Sequence, residues 1–233
     1  MNSIYSKSYT IEKSIVYLGG DIIEGATIHG TESRMCSESG NPDQIKNAVI
    51  SIYEDYLVPI LNYGHNVKVI AICGNHDRDG KYKTYNDPGI ESFSWIIYHM
   101  LEQLCLKSGA TNVEFVIPKG IYHIEKLYNS NILYEHGDHV KGNSKQAYES
   151  HMAKRGVQAG VLIDFIRVGH YHERAEYGRG RIIINPSLAG QDSYADVNGY
   201  NTEAAQTINY YIKTDKRSNP FYHSFCVYLD DEV

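Results

Sequence analysis

No apolar run in this 233-residue chain approaches the roughly 18–20 residues needed to cross a bilayer, and residues 1–13 lack the charged-then-apolar layout of a secretory leader. Both absences predict an intracellular, cytoplasmic protein with no membrane partner. There is also no C-x-x-C pair. Cys36, Cys73, Cys105 and Cys226 stand far apart, which argues against a thiolate zinc site and a disulfide framework. Cationic excess is missing too: 22 Lys+Arg face 28 Asp+Glu, a net charge of -6. Bulk electrostatics therefore do not draw the chain to nucleic acid, and any such binding needs a local basic groove. Tryptophan occurs once and phenylalanine five times against 21 tyrosines, a compositional bias rather than a site. With 42% hydrophobic residues the chain can bury a sizeable core, and 1–233 reads as one domain.

What is present is a regular alternation. Residues 14–18 (SIVYL), 67–72 (VKVIAI), 132–134, 165–168 (FIRV) and 181–184 (RIII) are short, β-branched runs that end at Gly, His or Asn, so they read as buried strands. Between them, 42–61, 90–107 and 144–163 carry helical spacing, the first opened by Asn41-Pro42. The alternation predicts an α/β layered fold, a sheet covered by helices. Later, 121–134 around Asn129-Ser130-Asn131 and 173–184 around Gly178-Arg179-Gly180 read as hairpins, so the second sheet should be antiparallel or mixed. Residues 192–201 read as a surface loop and 221–229 as a final strand.

Each early strand runs into a polar turn. These are Gly19-Gly20-Asp21-Ile22-Ile23-Glu24-Gly25, Gly74-Asn75-His76-Asp77, Glu135-His136-Gly137-Asp138-His139 and Gly169-His170-Tyr171-His172. In an α/β fold such turns gather along one edge of the sheet, where ligands bind. Imidazole, carboxylate and amide donors without thiolate suit Mn, Fe, Zn or Mg, and a carboxylate can bridge two cations. That donor set points to a two-metal hydrolytic centre.

The ordered series G-D-I-I-E, G-N-H-D, a lone His before Gly-Asp, and G-H-Y-H resembles the calcineurin-like metallophosphoesterases, over about residues 15–187. Residues 182–187 (IIINPS) resemble the strand and turn that close the family's domain. The resemblance implies a layered fold of mixed β-sheets, a β-sandwich flanked by helices, and a phosphodiesterase or DNA nuclease nearest the exonuclease subunits of DNA double-strand-break repair and their phage-encoded relatives. By the same resemblance Asp21 is the bridging carboxylate, Asn75, His136 and His170 complete one metal site, and His172 belongs to the other. His76 stands beside the scissile phosphate as a charge stabiliser or general acid, and Asp77 supports it by orienting an imidazole. The implied cofactors are two divalent ions, Mn first and Mg, Fe or Zn as alternatives, which bind phosphate oxygens and acidify the attacking water. His139 competes with His136, and Glu24 has a structural place in its loop.

One departure from the family pattern matters. The family opens with D-x-H on its first strand, and no D-x-H occurs anywhere in this chain. The expected domain thus lacks the family's first strand and half of one metal site. Three readings accommodate this: a second chain or a late start accounts for D-x-H, the chain keeps one good metal site, or it is a noncatalytic relative that binds nucleic acid or a partner protein. A homo-oligomer is compatible with each.

Weaker candidates surround this core. Arg78, Lys81 and Lys83 can line a phosphate path with Tyr82 and Tyr85 stacking on bases, though a solvated loop explains them equally well. Lys141, Lys145, Lys154 and Arg155 have the same two explanations, the plainer being an exposed helix face. His29, His65, His99, His123, His151 and His223 read as ordinary histidines, with His29 able to stand in for a missing ligand if its loop folds back.

Overall fold

The computed structural model describes residues 10–25, 39–80, 87–190, 203–213 and 219–229. The chain forms two units, Met1–Ile121 and Tyr122–Val233. In the first, the β-branched runs become β1 (Lys13–Leu18) and β2 (Asn66–Ala71), joined by β3 (Val113–Val116) in a parallel sheet of order β1-β2-β3. Val69 and Ile70 of β2 are fully buried, as a central strand covered on both faces requires. Register pairs Lys13 with Asn66 and Leu18 with Ala71. The two strands therefore finish level, and the turns that follow them leave the sheet side by side at its carboxyl edge.

The helix expected over 42–61 is one continuous helical stretch with an irregular middle: α1 (Asn41–Ser51), a π-helical turn over Ile52–Leu57, and α2 (Val58–Leu61). Pro59 lacks an N–H, and its ring would meet the carbonyl four residues back, so the widened turn just before it relieves both problems. α3 (Phe93–Lys107) begins later than the expected residue 90, because the Ser92 hydroxyl caps it by accepting from the Trp95 N–H at 3.3 Å. Leu57, Ile97, Leu101 and Cys105 of these helices pack with Val67, Val69 and Ala71 of β2 in the first core. Cys105 is thus a buried hydrophobe. The four-residue β3 was not foreseen: in V-E-F-V, the run is too short for periodicity to show, and Glu114 faces outward to pair with Lys68 at 3.1 Å.

The second unit holds a mixed five-stranded sheet, as expected. Its order is β4 (Tyr122–Leu127), β5 (Ser130–Glu135), β6 (Phe165–Val168), β8 (Ile182–Ile184), β7 (Ala175–Tyr177), with β5-β6 and β6-β8 parallel and the two outer pairs antiparallel. The first hairpin turns at Tyr128 and Asn129, not at Asn129-Ser130-Asn131: Tyr128 takes the left-handed conformation (φ 53°), and Ser130 already pairs with Leu127. α4 (Lys145–Ala159), capped by Ser144, ends at Gly160 (φ 69°), short of the expected residue 163. β9 (Ala205–Tyr211), also unforeseen, pairs with β10 (Phe221–Tyr228) in a separate two-stranded sheet. Its A-Q-T-I-N-Y-Y carries too many polar residues to read as a buried strand. The expected loop over 192–201 lies outside the described residues.

Arg167, in the buried strand β6, joins the two sheets of this unit. It donates to the Tyr211 hydroxyl and lies 5.5–5.8 Å from the ring centres of Phe165, Tyr211 and Phe221. Such cation–π contacts gain strength where water is excluded. Phe221 also seats against the β7–β8 turn, in the space that a side chain at Gly180 would need: an added Cβ would lie 2.3 Å from the ring. Gly180→Ala should therefore cost about 2 kcal/mol or more beyond Gly160→Ala, which meets open space and bears only the left-handed backbone penalty of about 1–2 kcal/mol. Urea denaturation of the two variants measures the gap, and equal midpoints would refute the packing argument.

Candidate functional site

The turn after β1 and the turn after β2 are braced together by one carboxylate. Asp77 is fully buried. Its Oδ2 accepts from the backbone N–H groups of Asp21 and Gly74, each at 2.8 Å, and its Oδ1 from Ile22 at 2.8 Å and Ile23 at 3.3 Å. Asp21 answers by accepting the His76 N–H on Oδ1 at 2.8 Å, and the Gly25 N–H donates to the His76 carbonyl at 3.1 Å. Glycine is required at the crossing: a Cβ on Gly20 (φ 87°) would lie 2.3 Å from the Gly74 nitrogen, and one on Gly74 would lie 2.0 Å from Asp21 Oδ1.

This corrects the expected role of Asp77. It orients backbone amides, because its oxygens accept from four N–H groups. The partner of the His76 imidazole is Glu24, whose Oε2 lies 2.7 Å from His76 Nδ1. Glu24 also donates its backbone N–H to Gln44 on α1 at 2.9 Å. Asn75 lies between Gly74 and His76, in the turn whose next residue donates its backbone N–H to Asp21. Behind this turn, the Tyr98 hydroxyl on α3 donates to the Ile72 carbonyl at 2.8 Å. Burial, reinforced by the negative charge of Asp77, holds the Tyr98 phenol well above its ordinary range, so it remains a donor.

In the second unit, β5 and β6 deliver His136 and His170. His170 Nδ1 lies 3.2 Å from His136 Nε2, and the rings cross at 71°. Two nitrogens on one ion with bonds of about 2.0–2.1 Å stand about 2.9–3.4 Å apart at octahedral or tetrahedral angles. The pair therefore fits a shared divalent cation. His139 turns instead to Asp138, at 2.7 Å. His172 is half-buried, and its carbonyl accepts the Ser187 N–H at 3.1 Å.

Asp21 (φ 52°), His170 (φ 64°) and His172 (φ 60°) are three of the six described non-glycine residues with left-handed backbone. Such residues carry about 1–3 kcal/mol of strain each and cluster at functional sites. Sequence reasoning missed this feature, and no side-chain pattern announces it.

It also missed a buried charged cluster behind His136. Glu135 accepts from Arg155 Nη2 at 2.6 Å and Nε at 3.1 Å, and lies 2.8 Å from His151 Nε2. Arg155 and His151 share one face of α4, four residues apart, so this helix grips the end of β5 just before His136. Arg155, a basic-patch candidate in the sequence, is thus buried and paired. Lys141, Lys145 and Lys154 are exposed, as the plainer reading had it. Arg78 bridges to Ser92, while Lys81, Tyr82, Lys83, Tyr85 and His29 lie outside the described residues.

No protein-family model matches this chain, and no curated protein matches it. Among solved structures, it is similar to a single mutant of Vps29 from Entamoeba histolytica (18% identity, 93% of this chain and 99% of that one, TM-score 0.41). Wild-type Vps29 from Entamoeba histolytica in complex with zinc aligns at 16% identity over 93% and 97% of the two chains, TM-score 0.39. An archaeal phosphodiesterase aligns at 11% identity over 94% and 100%, TM-score 0.38. At these TM-scores the likeness decides neither family nor activity. Among the described residues, no helix is long and apolar enough to cross a membrane.

Two expectations follow from the hydrogen bonds. Asp77→Asn places an amide NH2 against backbone N–H donors, leaving two of them unpaired, and should lower stability by about 2–4 kcal/mol; a chemical-denaturation midpoint matching the parent would contradict it. Burial alone would raise the Glu135 carboxyl, but hydrogen bonds from His151 and Arg155, with their charge, outweigh it and hold the carboxyl below its ordinary value. A depressed folded value means that this stabilisation is complete above the unfolded carboxyl range, near pH ~4.3, and fades as pH falls through the lower folded value. Urea midpoints measured from about pH 6 to 3 should fall less steeply for Glu135→Gln than for the parent.

Proposed function

We propose that this chain is a divalent-metal phosphoesterase that cleaves phosphodiesters, with a nucleic-acid strand as the substrate class. Its metal ligands in this reading are the residues that the motif series marks: Asp21, Asn75, His136, His170 and His172. The observation that carries the reading is the left-handed backbone at Asp21, His170 and His172, the same residues that the motif series marks as ligands. The 3.2 Å approach of His170 to His136 and the thiolate-free donor set support it. A divalent cation held by these residues would polarise phosphoryl oxygens and lower the pKa of water, with Mn the first candidate and Mg, Fe or Zn the alternatives.

The chain's own residues have separate tasks. Asp77 holds Asp21 and Gly74 in place through their backbone amides, so the Asp21 carboxylate is presented without rotational freedom of its turn. Glu24 accepts a hydrogen bond from Nδ1–H of His76, which fixes the ring and makes Nε2 the atom that gives or takes a proton at the leaving oxygen. Glu135 restrains the strand end that carries His136.

The test is hydrolysis of bis(p-nitrophenyl) phosphate and of labelled DNA with Mn, with and without chelator. Asp21→Asn and His170→Asn suit it, because Asn tolerates left-handed backbone and leaves the turn intact. Each should lower turnover at least about 100-fold, and His76→Ala by about 10²–10⁴. Turnover that survives chelator, or is unchanged in these variants, refutes the assignment.

A second reading has its own support in the absence of D-x-H from the sequence. In it the chain is a noncatalytic or split-subunit protein that holds at most one cation and binds nucleic acid or a partner protein. Metal titration separates the two: two tightly held ions per chain exclude it, whereas one ion without turnover supports it.

A further inference from the structure

A cleft of about 610 Å³ opens on the second unit between the β7–β8 turn and β10, lined by Arg174, Glu176, Arg179, Phe221, His223 and Ser224 among others. Both of its walls are fixed. The Phe221 ring fills the space beside Gly180, which pins the Gly178-Arg179-Gly180 turn against β10. Across the cleft, the Ser224 hydroxyl donates to Glu176 Oε2 at 2.6 Å, and Arg174 Nη2 donates to Ser224 Oγ at 3.2 Å. The single carboxylate of the lining is thus already engaged, by Ser224 and by Arg174 at 3.5 Å.

Arg179 is in a different state. It stands at φ 56° between glycines at 65° and 73°. These three consecutive left-handed residues set the direction in which its side chain leaves the turn. Among the described residues its guanidinium has neither a hydrogen bond nor an ion pair, although the protein as a whole carries a net charge of -6. Two arginines against one occupied glutamate make the cleft locally cationic. Next to them on β10, Tyr222 and His223 supply two exposed rings, Tyr222 at 46% exposure, while Phe221 is buried.

We propose that this cleft binds a single-stranded nucleic acid, with Arg179 on a backbone phosphate and the exposed rings of Tyr222 and His223 against unpaired bases. Guanidinium groups beside aromatic rings are the means by which proteins hold single strands without reading sequence. Arg174 follows His172 by two residues, so the cleft begins where the second imidazole turn ends. A small phosphoester at that turn would leave a cleft of this size empty, whereas a strand would extend into it. The proposal rests on the phosphodiesterase reading for the claim that the bound strand is the substrate.

The experiment is fluorescence anisotropy of a labelled oligothymidylate with the whole chain, without added divalent metal, across a series of salt concentrations. Arg179→Ala should weaken binding about tenfold near 0.1 M salt and make the slope of log affinity against log salt shallower by about 0.7, the value for one phosphate contact on a single strand. Its thermal midpoint should match the parent, since the guanidinium holds nothing among the described residues. A duplex of the same length should compete less well than the single strand, and millimolar inorganic phosphate should displace little. No binding at low salt, an unchanged slope in Arg179→Ala, or tighter binding of duplex overturns the proposal. Hydrolysis of bis(p-nitrophenyl) phosphate by the unaltered chain is read separately. Arg179-dependent strand binding without that hydrolysis sinks the catalytic reading and leaves the cleft; hydrolysis without strand binding does the reverse.

Discussion

Four backbone N–H groups from two turns converge on the Asp77 carboxylate, and the local geometry of the first unit depends on that convergence. A buried carboxylate without partners would be costly, and so would the amides of two tight turns left without acceptors. Each problem solves the other. The arrangement needs β1 and β2 to end level, which their register provides, and it needs Gly20 and Gly74 to touch where no side chain fits. Asp21 is then held in a conformation it would avoid in isolation, and the strain persists because the amide clamp over-determines it.

The second unit reaches a comparable result by different means. Its constraint is a charged cluster: Glu135 at the end of β5, gripped by Arg155 and His151 from α4. Buried ion pairs contribute little net stability, but removing one partner is expensive, so they favour a single arrangement over alternatives. Here the arrangement fixes the strand end from which His136 projects toward His170. Both units therefore place an ionised or strongly polar group one step behind the candidate ligand. Rigidity of this kind limits the reorganisation that binding a cation would require.

The legibility of the sequence followed the length scale of the signal. Strands such as 165–168 and the helix at 144–163 announced themselves through apolar runs and caps, and the mixed second sheet through its two Gly- and Asn-rich turns. The short β3 and the polar β9 did not, because four residues carry no period and a sheet edge tolerates polar side chains. At the candidate site, residue types were readable but partnerships were not. Asp77 meets backbone amides and Glu24 an imidazole, and local spacing cannot say which of the two a carboxylate will find. Arg155 looked like a surface cation for the same reason: its partner, Glu135, is 20 residues away.

Net charge constrains how a strand could be held. A chain at -6 repels a polyanion at long range, so affinity for a strand must come from groups close to it, inside a Debye length of about 8–10 Å. The β7–β8 turn is one place in the second unit where a cation is unpaired among the described residues and carried on a turn pinned by Phe221. Most other surface cations with a visible partner, such as Lys46, Lys68 and Lys145, sit beside carboxylates and are locally neutralised. A net-acidic protein with one such guanidinium would bind a strand weakly and in a salt-sensitive way, releasing it readily. Fast release suits an enzyme that must let product go, and it suits a permanent scaffold poorly.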